Sequence, residues 1–215
     1  MPSVSETIVR EYFELHGFLV RQPRKYVAVN LREEEEIDFL ALNPQPRPAA
    51  GPLPFVLDSE ALRRVERAVV RVIAWHTETL YVGVLANQPE ILRIVEPAIL
   101  RQAARFFGGG AITKLLVMPA LPHGAPARDK SIELLRGKGV DAVLSFHTLL
   151  ADLVACVEPN RNYQKSDLLQ IIRLLKNYDF FKEPQMELFK PRRRRTAAPA
   201  PAAAAGPQTQ APSAS

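Results

Sequence analysis

Asp38 lies in the first stretch of this chain whose residue types could do chemistry. The segment Glu34–Pro44, EEEIDFLALNP, runs from acidic residues into an apolar stretch that predicts a β-strand. Glu36 and Asp38 carry carboxylates there, and carboxylate oxygens are the ligands that Mg²⁺ takes from proteins. The segment therefore predicts a strand that could contribute to a magnesium site.

A second segment, Ala68–Leu80, is the most apolar β-branched run in the first half of the chain and predicts a central strand. Side chains alternate between the two faces of a strand. One face carries Val69, Arg71, Ile73 and Trp75, and the other carries Val70, Val72, Ala74 and His76. The site predicted at Asp38 would therefore lie beside one of these two sets.

The order of these segments, an acidic strand followed by a β-branched strand that ends in Trp-His-Thr, resembles the PD-(D/E)XK nuclease superfamily with its restriction-endonuclease-like fold. In that family the acidic strand supplies an Asp, and the next strand supplies a Glu or Asp, any residue, and then a Lys. Asp38 matches the first position, while the second motif falls on Arg71, Val72 and Ile73. The resemblance therefore implies a nuclease-like architecture that is degenerate at its second motif.

The two replacements at this motif change the chemistry that the resemblance implies. An Arg71 guanidinium adds positive charge where a metal ion would sit, and the hydrocarbon of Ile73 replaces the lysine thought to polarise the attacking water. Two outcomes stay open: a salt bridge between Asp38 and Arg71 on adjacent strands, or a retained Mg²⁺ site that uses Asp38 and Glu36.

Three other residues are candidates for the lining of a pocket. Trp75 and His76 end the predicted central strand, where α/β sheets tend to expose functional groups. A single His next to Glu78 lacks the third protein ligand of a zinc site, so the alternative places Trp75 in the core and His76 in a hydrogen bond. In the family that the chain resembles, an acidic residue of the first helix sometimes reaches the site, which makes Glu11 a candidate; the alternative is a solvated helix face.

Composition indicates one globular domain with additional sequence. The chain has 215 residues, of which 47% are hydrophobic. No run of apolar residues is long enough for a transmembrane helix, and the first residues do not have the pattern of a signal peptide, so we expect a cytoplasmic protein with no membrane partner. Cys156, the single cysteine, lies in an apolar helical run and is predicted to be a small core residue.

The basic charge of the chain is concentrated near one end. The net charge is +5, and four of the positive charges are the adjacent Arg192, Arg193, Arg194 and Arg195. The remainder is close to neutral, so these four arginines, rather than the core, are the candidate nucleic-acid contacts. The Arg/Ala/Pro-rich segment 191–215 lacks apolar bulk and is predicted to be disordered.

The order of the predicted elements indicates an α/β fold with a mixed central sheet flanked by helices. A helix over Ser5–His16, with a Ser cap and Gly17 at its end, precedes strands in FLVRQ and KYVAVNL. After the central strand, a helix from Asn87 to Phe107 begins at a capping-box pattern and ends at glycines 108–110. Further elements are predicted as a short helix in LDSEALRRVERA with Ser59 as its cap, a strand from Ile112, a helix over Arg128–Arg136, a strand in DAVLSF and a helix over Thr148–Val157. This is the αβββαβ order of the restriction-endonuclease-like core, with an extra C-terminal strand and helices.

The last predicted helix has a broad apolar face. It is capped by Ser166 and carries Leu168, Leu169, Ile171, Ile172, Leu175 and Tyr178 on that face. The face predicts either docking on the sheet or the surface of a homodimer or partner. The expected organisation is a core over residues 1–160, a helical extension packed on it over 161–190, and the tail over 191–215.

Three functions remain open from sequence. The first is a degenerate PD-(D/E)XK nuclease-like protein that works as a nucleic-acid-associated or scaffold protein without hydrolytic activity and without a cofactor. The second is an active Mg²⁺-dependent nuclease in which Glu36, Asp38 and a carboxylate from elsewhere bind the metal. The third is a protein-interaction module that uses the C-terminal helix.

Overall fold

A computed structural model describes residues 4–22, 37–48 and 51–181. Its strands are β1 (Leu19–Arg21), β2 (Phe39–Leu42), β3 (Arg67–Val72), β4 (Thr113–Met118) and β5 (Ala142–Ser145). Its helices are α1 (Val4–Leu15), α2 (Ser59–Leu62), α3 (Val82–Asn87), a 3₁₀ helix (Pro89–Val95), α4 (Pro97–Phe107), α5 (Ala125–Gly137), α6 (Phe146–Cys156) and α7 (Asp167–Asn177). The segment KYVAVNL, predicted as a strand, lies outside the described residues.

The five strands form one mixed sheet in the order β1-β2-β3-β4-β5. β2 is antiparallel to both of its neighbours, whereas β3, β4 and β5 are parallel to one another. The predicted α/β fold with a mixed sheet is confirmed, and β3 lies at the centre of the sheet as its β-branched sequence predicts. Because β3, β4 and β5 are parallel, their carboxyl ends lie at the same end of the sheet.

Both faces of the sheet are covered, because neighbouring strand residues point to opposite layers. Val70 packs in an apolar cluster with residues of α1, α6 and α7, whereas Val69 packs in another cluster with Ile94 and Ile99. A third cluster lies on the same side as Val69 and joins Ile73 of the β3 end to residues of α3 and α5. The molecule therefore has helix, sheet and helix layers, which explains why β3 and β4 read as nearly continuous apolar runs.

The predicted continuous helix from Asn87 to Phe107 is wrong. The chain forms α3, a 3₁₀ helix and then α4, which begins at Pro97. Proline begins a helix readily but cannot continue one, because it has no N–H and its ring clashes with the preceding turn. Asn87 is the last residue of α3 rather than a cap. Gly108, in the left-handed conformation with φ of 72°, ends α4 as predicted.

The predicted helix caps have mixed outcomes. Ser166 does cap α7, where its Oγ accepts a hydrogen bond from the Leu169 N–H at 3.2 Å. Ser59 does not cap α2, because the Asp58 carboxylate accepts from the Ala61 N–H at 2.7 Å. α1 begins at Val4, so Ser5 is a buried residue inside the helix rather than its cap.

Cys156 is exposed, so its predicted core position is wrong. Leu149 and Leu153 are the buried residues that anchor α6, and Val157 takes the next inward position. Partial burial and the nearby Asp152 carboxylate raise the pKa of the Cys156 thiol. A raised pKa reduces the thiolate fraction at neutral pH and gives no support to a nucleophilic role.

Two polar pairs link α1 and the residue after its end to the helices α2 and α6. The Tyr12 hydroxyl shares a 2.9 Å hydrogen bond with the Ser59 hydroxyl, and burial raises the pKa of Tyr12 to about 12. His16 Nε2 lies 2.6 Å from Asp152 Oδ2, with the imidazole side chain 1% exposed. Burial lowers the pKa of His16, an effect that its hydrogen bond with Asp152 partly opposes.

The edge of the sheet beyond β5 is covered by a segment that lies between β2 and β3 in sequence. Val143 donates its N–H to the Phe55 carbonyl at 2.7 Å, and Leu57 donates to the Val143 carbonyl at 2.8 Å. Val56 and Val143 thus form an isolated parallel bridge. The connection between β2 and β3 therefore reaches the far side of the sheet, where residues 55–57 satisfy edge groups of β5.

The chain divides into two compact units, Met1–Asp179 and Phe180–Ser215. All of the helices and strands named above belong to the first unit. In the described part of the chain, each helix is too short or too polar to cross a membrane.

Candidate functional site

Asp38 and Arg71 face each other at one end of the β2–β3 pair. Phe39 is paired with Val70 in the antiparallel register, so Asp38, immediately before β2, lies opposite Arg71. Because the strands are antiparallel, the start of β2 meets the carboxyl end of β3. The antiparallel pairing of β2 and β3 therefore brings Asp38 and Arg71 together.

Both carboxylate oxygens of Asp38 are engaged at this position. Oδ2 accepts a hydrogen bond from the Val72 backbone N–H at 2.6 Å, and Oδ1 lies 3.5 Å from Arg71 Nη1. The Asp38 and Arg71 side chains are only 16% and 25% exposed. The predicted salt bridge across adjacent strands is thus confirmed, and the short charge-assisted hydrogen bond to Val72 was not predicted.

Ile73 comes directly after β3, and its side chain lies in the apolar core. It is 5% exposed and packs in the cluster that includes Leu80, Leu85 and Leu116. Ile73 is therefore a buried hydrocarbon surrounded by other hydrocarbons. Such a side chain cannot polarise or deprotonate water.

Among the described residues, the side chains around Asp38 do not fit a Mg²⁺ ion. Magnesium demands octahedral oxygen coordination and repels a guanidinium at the same position. Within residues 4–22, 37–48 and 51–181, no group of three or more His, Cys, Asp or Glu side chains is arranged to hold a metal ion. Glu36, the second predicted ligand, lies outside the described residues.

Glu11 lies half-buried on α1, close to Glu14. Burial raises the pKa of Glu14, and the Glu11 charge adds to that effect. The electrostatic interaction of Glu11 in the structure is therefore with Glu14, a carboxylate of the same helix.

The chain leaves the sheet sooner than the sequence predicts. β3 ends at Val72, one further sheet bond joins the Ile73 N–H to the Val117 carbonyl at 2.8 Å, and the rest of the predicted strand is a loop. The loop turns at the bond from the Glu78 N–H to the Trp75 carbonyl, 2.9 Å long. Trp75 is 37% exposed, so its alternative position in the core is wrong.

His76 attaches this loop to the first helix. Its Nε2 and the Ser5 Oγ share a 2.7 Å hydrogen bond, and its ring packs edge-on against Phe146 at 4.6 Å between centroids. The expectation of a hydrogen-bonded His76 is confirmed. The bond to Ser5 and the contact with Phe146 fix the orientation of the imidazole ring and attach the loop to α1.

A cavity of about 930 Å³ opens beside the loop. Its side chains are aromatic or polar rather than cationic: Trp75, His76, Thr77 and Glu78 come from the loop, and Tyr81, Asn87 and Gln88 come from the α3 region. Tyr81 is 51% exposed. Trp75 and His76 were predicted as pocket candidates and do line this cavity, whereas Tyr81, Asn87 and Gln88 were not predicted.

A second cavity of about 330 Å³ lies at the carboxyl ends of β4 and β5. His123 and Arg128 line it from the β4 side, and Ser145, His147 and Thr148 line it from the β5 side. The two histidines are scattered in sequence, and the sheet brings them together because each follows a parallel strand. That position, directly after a buried strand, is the sequence signal that could have identified them.

Arg192, Arg193, Arg194 and Arg195 lie outside the described residues, so their predicted contact with nucleic acid stays a prediction. Comparison of the chain with protein-family models, with curated proteins and with solved structures gave no match.

Proposed function

We propose that this protein is a nuclease-like domain of PD-(D/E)XK type that binds nucleic acid and does not hydrolyse it. The observation that carries the proposal is the engagement of Asp38 by the Val72 N–H and the Arg71 guanidinium. With the short helix α2 set aside and the helical segments between β3 and β4 taken together, the order from α1 to β4 follows the αβββαβ order of that family. The proposal includes the cytoplasmic location expected from the sequence.

The absence of hydrolysis follows from the charges at the motif. A phosphodiester is cleaved in metal nucleases by an ion that activates water and neutralises the developing charge. An ion at Asp38 Oδ1 would have to displace the Arg71 guanidinium, whose Nη1 lies 3.5 Å from that oxygen, and the two cations would repel each other. Ile73 supplies no proton acceptor or donor. A guanidinium at this point can still attract a phosphate group, so loss of catalysis is compatible with retention of binding.

Binding to nucleic acid is supported by the side chains at the second cavity. His123, Arg128 and His147 line it, together with the hydroxyl groups of Ser145 and Thr148. None of its lining residues is acidic. Arginine and hydroxyl groups are the common protein donors to phosphate oxygens. The four consecutive arginines from Arg192 would add a contact that depends strongly on salt.

A cleavage assay tests the catalytic half of this proposal. Plasmid and single-stranded DNA are incubated with Mg²⁺ and either the unmodified protein or Asp38→Asn, which keeps the shape of the side chain. We expect intact DNA with both proteins. Mg²⁺-dependent cleavage that disappears in Asp38→Asn would instead support an active nuclease that uses Glu36, Asp38 and another carboxylate.

An anisotropy titration with a labelled oligonucleotide at several salt concentrations tests the binding half. Deletion of 191–215 should weaken binding and reduce the slope of log affinity against log salt, by up to about 3 if all four arginines contact phosphates of a single strand. The truncated chain should still bind at low salt, and Arg128→Ala should weaken that residual binding. Arg101→Ala, which removes an exposed arginine of α4, is the matched control. Absence of binding by the full chain at low salt would contradict the proposal.

A second candidate function, a homodimer or partner surface on α7, is favoured by one observation. Leu169 and Ile172 are 7% and 5% exposed and pack on the core, whereas Ile171, Leu174 and Tyr178 are 54%, 44% and 75% exposed. The last three recur at helical spacing and share one side of the helix. The face predicted to be buried is thus divided between core contacts and an outward apolar stripe.

Two neighbouring variants on α7 distinguish a docking surface from ordinary core packing. Ile171→Asp should leave the fold intact and convert a dimer into a monomer if the stripe is an interface, as measured by light scattering. Ile172→Asp, which places a charge in the core, should lower stability severely whether or not a dimer exists. A protein that is monomeric before and after Ile171→Asp would exclude self-association through this stripe.

A further inference from the structure

We infer that the 930 Å³ cavity beside Trp75 receives one unstacked base of a single-stranded nucleic acid, with the base lying on the Trp75 and Tyr81 rings. This inference rests on the proposed function and deepens it, because it assigns a base-binding position next to the degenerate motif. It needs no metal and no catalysis. The residues that carry it come from the loop after β3 and from the ends of α3.

The exposure of two large aromatic rings at one cavity is the first observation. Trp75 is 37% exposed and Tyr81 is 51% exposed, and both line the cavity. In the described part of the chain, neither ring is paired with another aromatic ring or with a cation. Their faces are therefore available to a planar partner, and every nucleobase has such a face.

The polar groups of the cavity are the second observation. Asn87 and Gln88 lie together where α3 ends, and both residues, each of which carries a side-chain amide, line the cavity. Among the described residues, no side-chain hydrogen bond engages either amide. An amide both donates and accepts, which matches the donor and acceptor pattern on the edge of a base.

The charge of the lining indicates a neutral ring rather than a phosphate. Of the described residues, neither Lys nor Arg lines this cavity, and Glu78 would repel an anion there. The cationic lining belongs to the neighbouring cavity with Arg128. The segments that carry the two cavities are in contact, because the Leu80 N–H, next to Tyr81 in sequence, donates to the carbonyl of Ala120, which lines the second cavity, at 3.1 Å. The first cavity would therefore bind the base, and the second cavity, lined by Arg128, would bind the phosphate.

The loop that carries Trp75 is held before any ligand arrives. The His76–Ser5 hydrogen bond attaches it to α1, and the Ser131 hydroxyl donates to the Leu80 carbonyl at 3.1 Å. A ring held in this way loses little freedom when it stacks, which favours affinity. The cavity volume lies at the upper end of the range typical of small-molecule sites, so a base with its sugar fits.

Trp75 is the single tryptophan of the chain, so its fluorescence reports on this cavity alone. The full-length protein is titrated at low salt with a single-stranded oligothymidine, with the same strand in which the central nucleotides are abasic, and with free thymidine. We expect quenching of Trp75 emission by the base-containing strand, little quenching by the abasic strand, and none by thymidine at equal concentration. Quenching by thymidine without strand binding would overturn the assignment to a nucleic acid.

Substitutions complete the test through anisotropy of a labelled strand. Tyr81→Ala should weaken binding about tenfold or more, as the loss of one base–aromatic stack does. Trp75→Phe, which keeps a ring, should bind better than Trp75→Ala. Tyr178→Ala removes an exposed ring outside the cavity and should leave binding unchanged.

The outcomes separate this inference from the proposed function. Strand binding with unchanged Trp75 emission and unaltered affinity in Tyr81→Ala would overturn the base position alone, while the nucleic-acid proposal would stand. No binding of any strand by the full chain would overturn both. Circular dichroism of each variant establishes whether it is folded. If an alanine variant is not folded, a leucine at the same position, which keeps bulk but removes the ring, replaces it.

Discussion

Arg71 lies opposite Asp38 across β2 and β3, with 3.5 Å between its Nη1 and the Asp38 Oδ1. The guanidinium supplies the positive charge that a metal ion would otherwise supply to this carboxylate. In the folded protein it therefore compensates Asp38 without an ion. The charge of Asp38 is therefore balanced within the β2–β3 pair.

Reversal of the charge at Arg71 should create a need for a divalent cation. Arg71→Glu places a second carboxylate beside Asp38, and two like charges at this distance repel each other. We expect a lower melting temperature than that of the unmodified protein, and partial recovery when Mg²⁺ is added, because Mg²⁺ binds the carboxylates of the folded state. Thermal unfolding with and without Mg²⁺ measures both effects.

Arg71→Gln is the control for this experiment. It removes the cation without adding an anion, so it should lose stability and recover much less with Mg²⁺. The unmodified protein should not respond. A Mg²⁺ response in the unmodified protein as large as that in Arg71→Glu would contradict the account of Arg71 given above.

Removal of the Asp38 carboxylate should cost about 2 kcal/mol of stability, because the Val72 N–H would lose a charge-assisted partner and the Arg71 charge would be left without this ion pair. The variant is Asp38→Ala, measured by urea unfolding. Asp38→Asn keeps an oxygen that can accept from Val72 and should lose less. Equal losses in the two variants would mean that the backbone hydrogen bond contributes little.

Ser5 and His76 should be energetically coupled. A double-mutant cycle with Ser5→Ala, His76→Ala and the combination is expected to give a coupling energy of about 1 kcal/mol, since the two side chains share a 2.7 Å hydrogen bond. His76→Ala should also alter the emission of Trp75, because it releases the loop from α1. Additive effects on the free energy of unfolding would show that the bond does not hold the loop.

Stability should fall as the pH is lowered from about 7.5 to about 5.5, because of His16. Burial lowers the pKa of His16 below its ordinary value of 6.5, so the unfolded chain takes up a proton before the folded one does. The contribution of neutral His16 is therefore present above pH 6.5 and is lost as the pH falls toward its folded pKa. The free energy of unfolding should have a positive slope with pH, of at most about 1.4 kcal/mol per pH unit.

His16→Gln should flatten that slope. Urea unfolding at several pH values gives the slope for each protein. Glu14 limits the useful range: burial raises its pKa, so its own contribution is lost as the pH rises through the region of carboxyl titration, below that of His16. An unchanged slope in His16→Gln would assign the pH dependence to other groups.

Sequence patterns predicted the sheet better than they predicted the helix boundaries. β-branched runs identified β3, β4 and β5, because buried parallel strands need apolar residues on both faces. The region from Asn87 to Phe107 was read as one helix, since its apolar spacing is helical on both sides of Pro97. Only the backbone chemistry of that proline divides it. Ser59 lost its predicted cap role because the neighbouring Asp58 is an equally good acceptor.

The candidate site was predictable where it depends on strand alternation and not where it depends on loops. Alternation and register place Asp38 opposite Arg71, and both follow from local sequence. Tyr81, Asn87, His123 and Arg128 lie in or after loops, and the chain must fold before they come near one another. The distances between these residues depend on the conformations of loops, which the sequence alone does not determine.

The bridge between Val56 and Val143 has a consequence for the order in which the molecule can be completed. The partner of residues 55–57 is Val143 of β5, which is synthesised only after α5. During synthesis, residues 55–57 therefore cannot form this bridge until β3, β4 and β5 have all been made. Contacts between such distant parts of a chain slow folding. A nascent or truncated chain that ends before β5 would therefore present this apolar segment to chaperones, proteases and other chains.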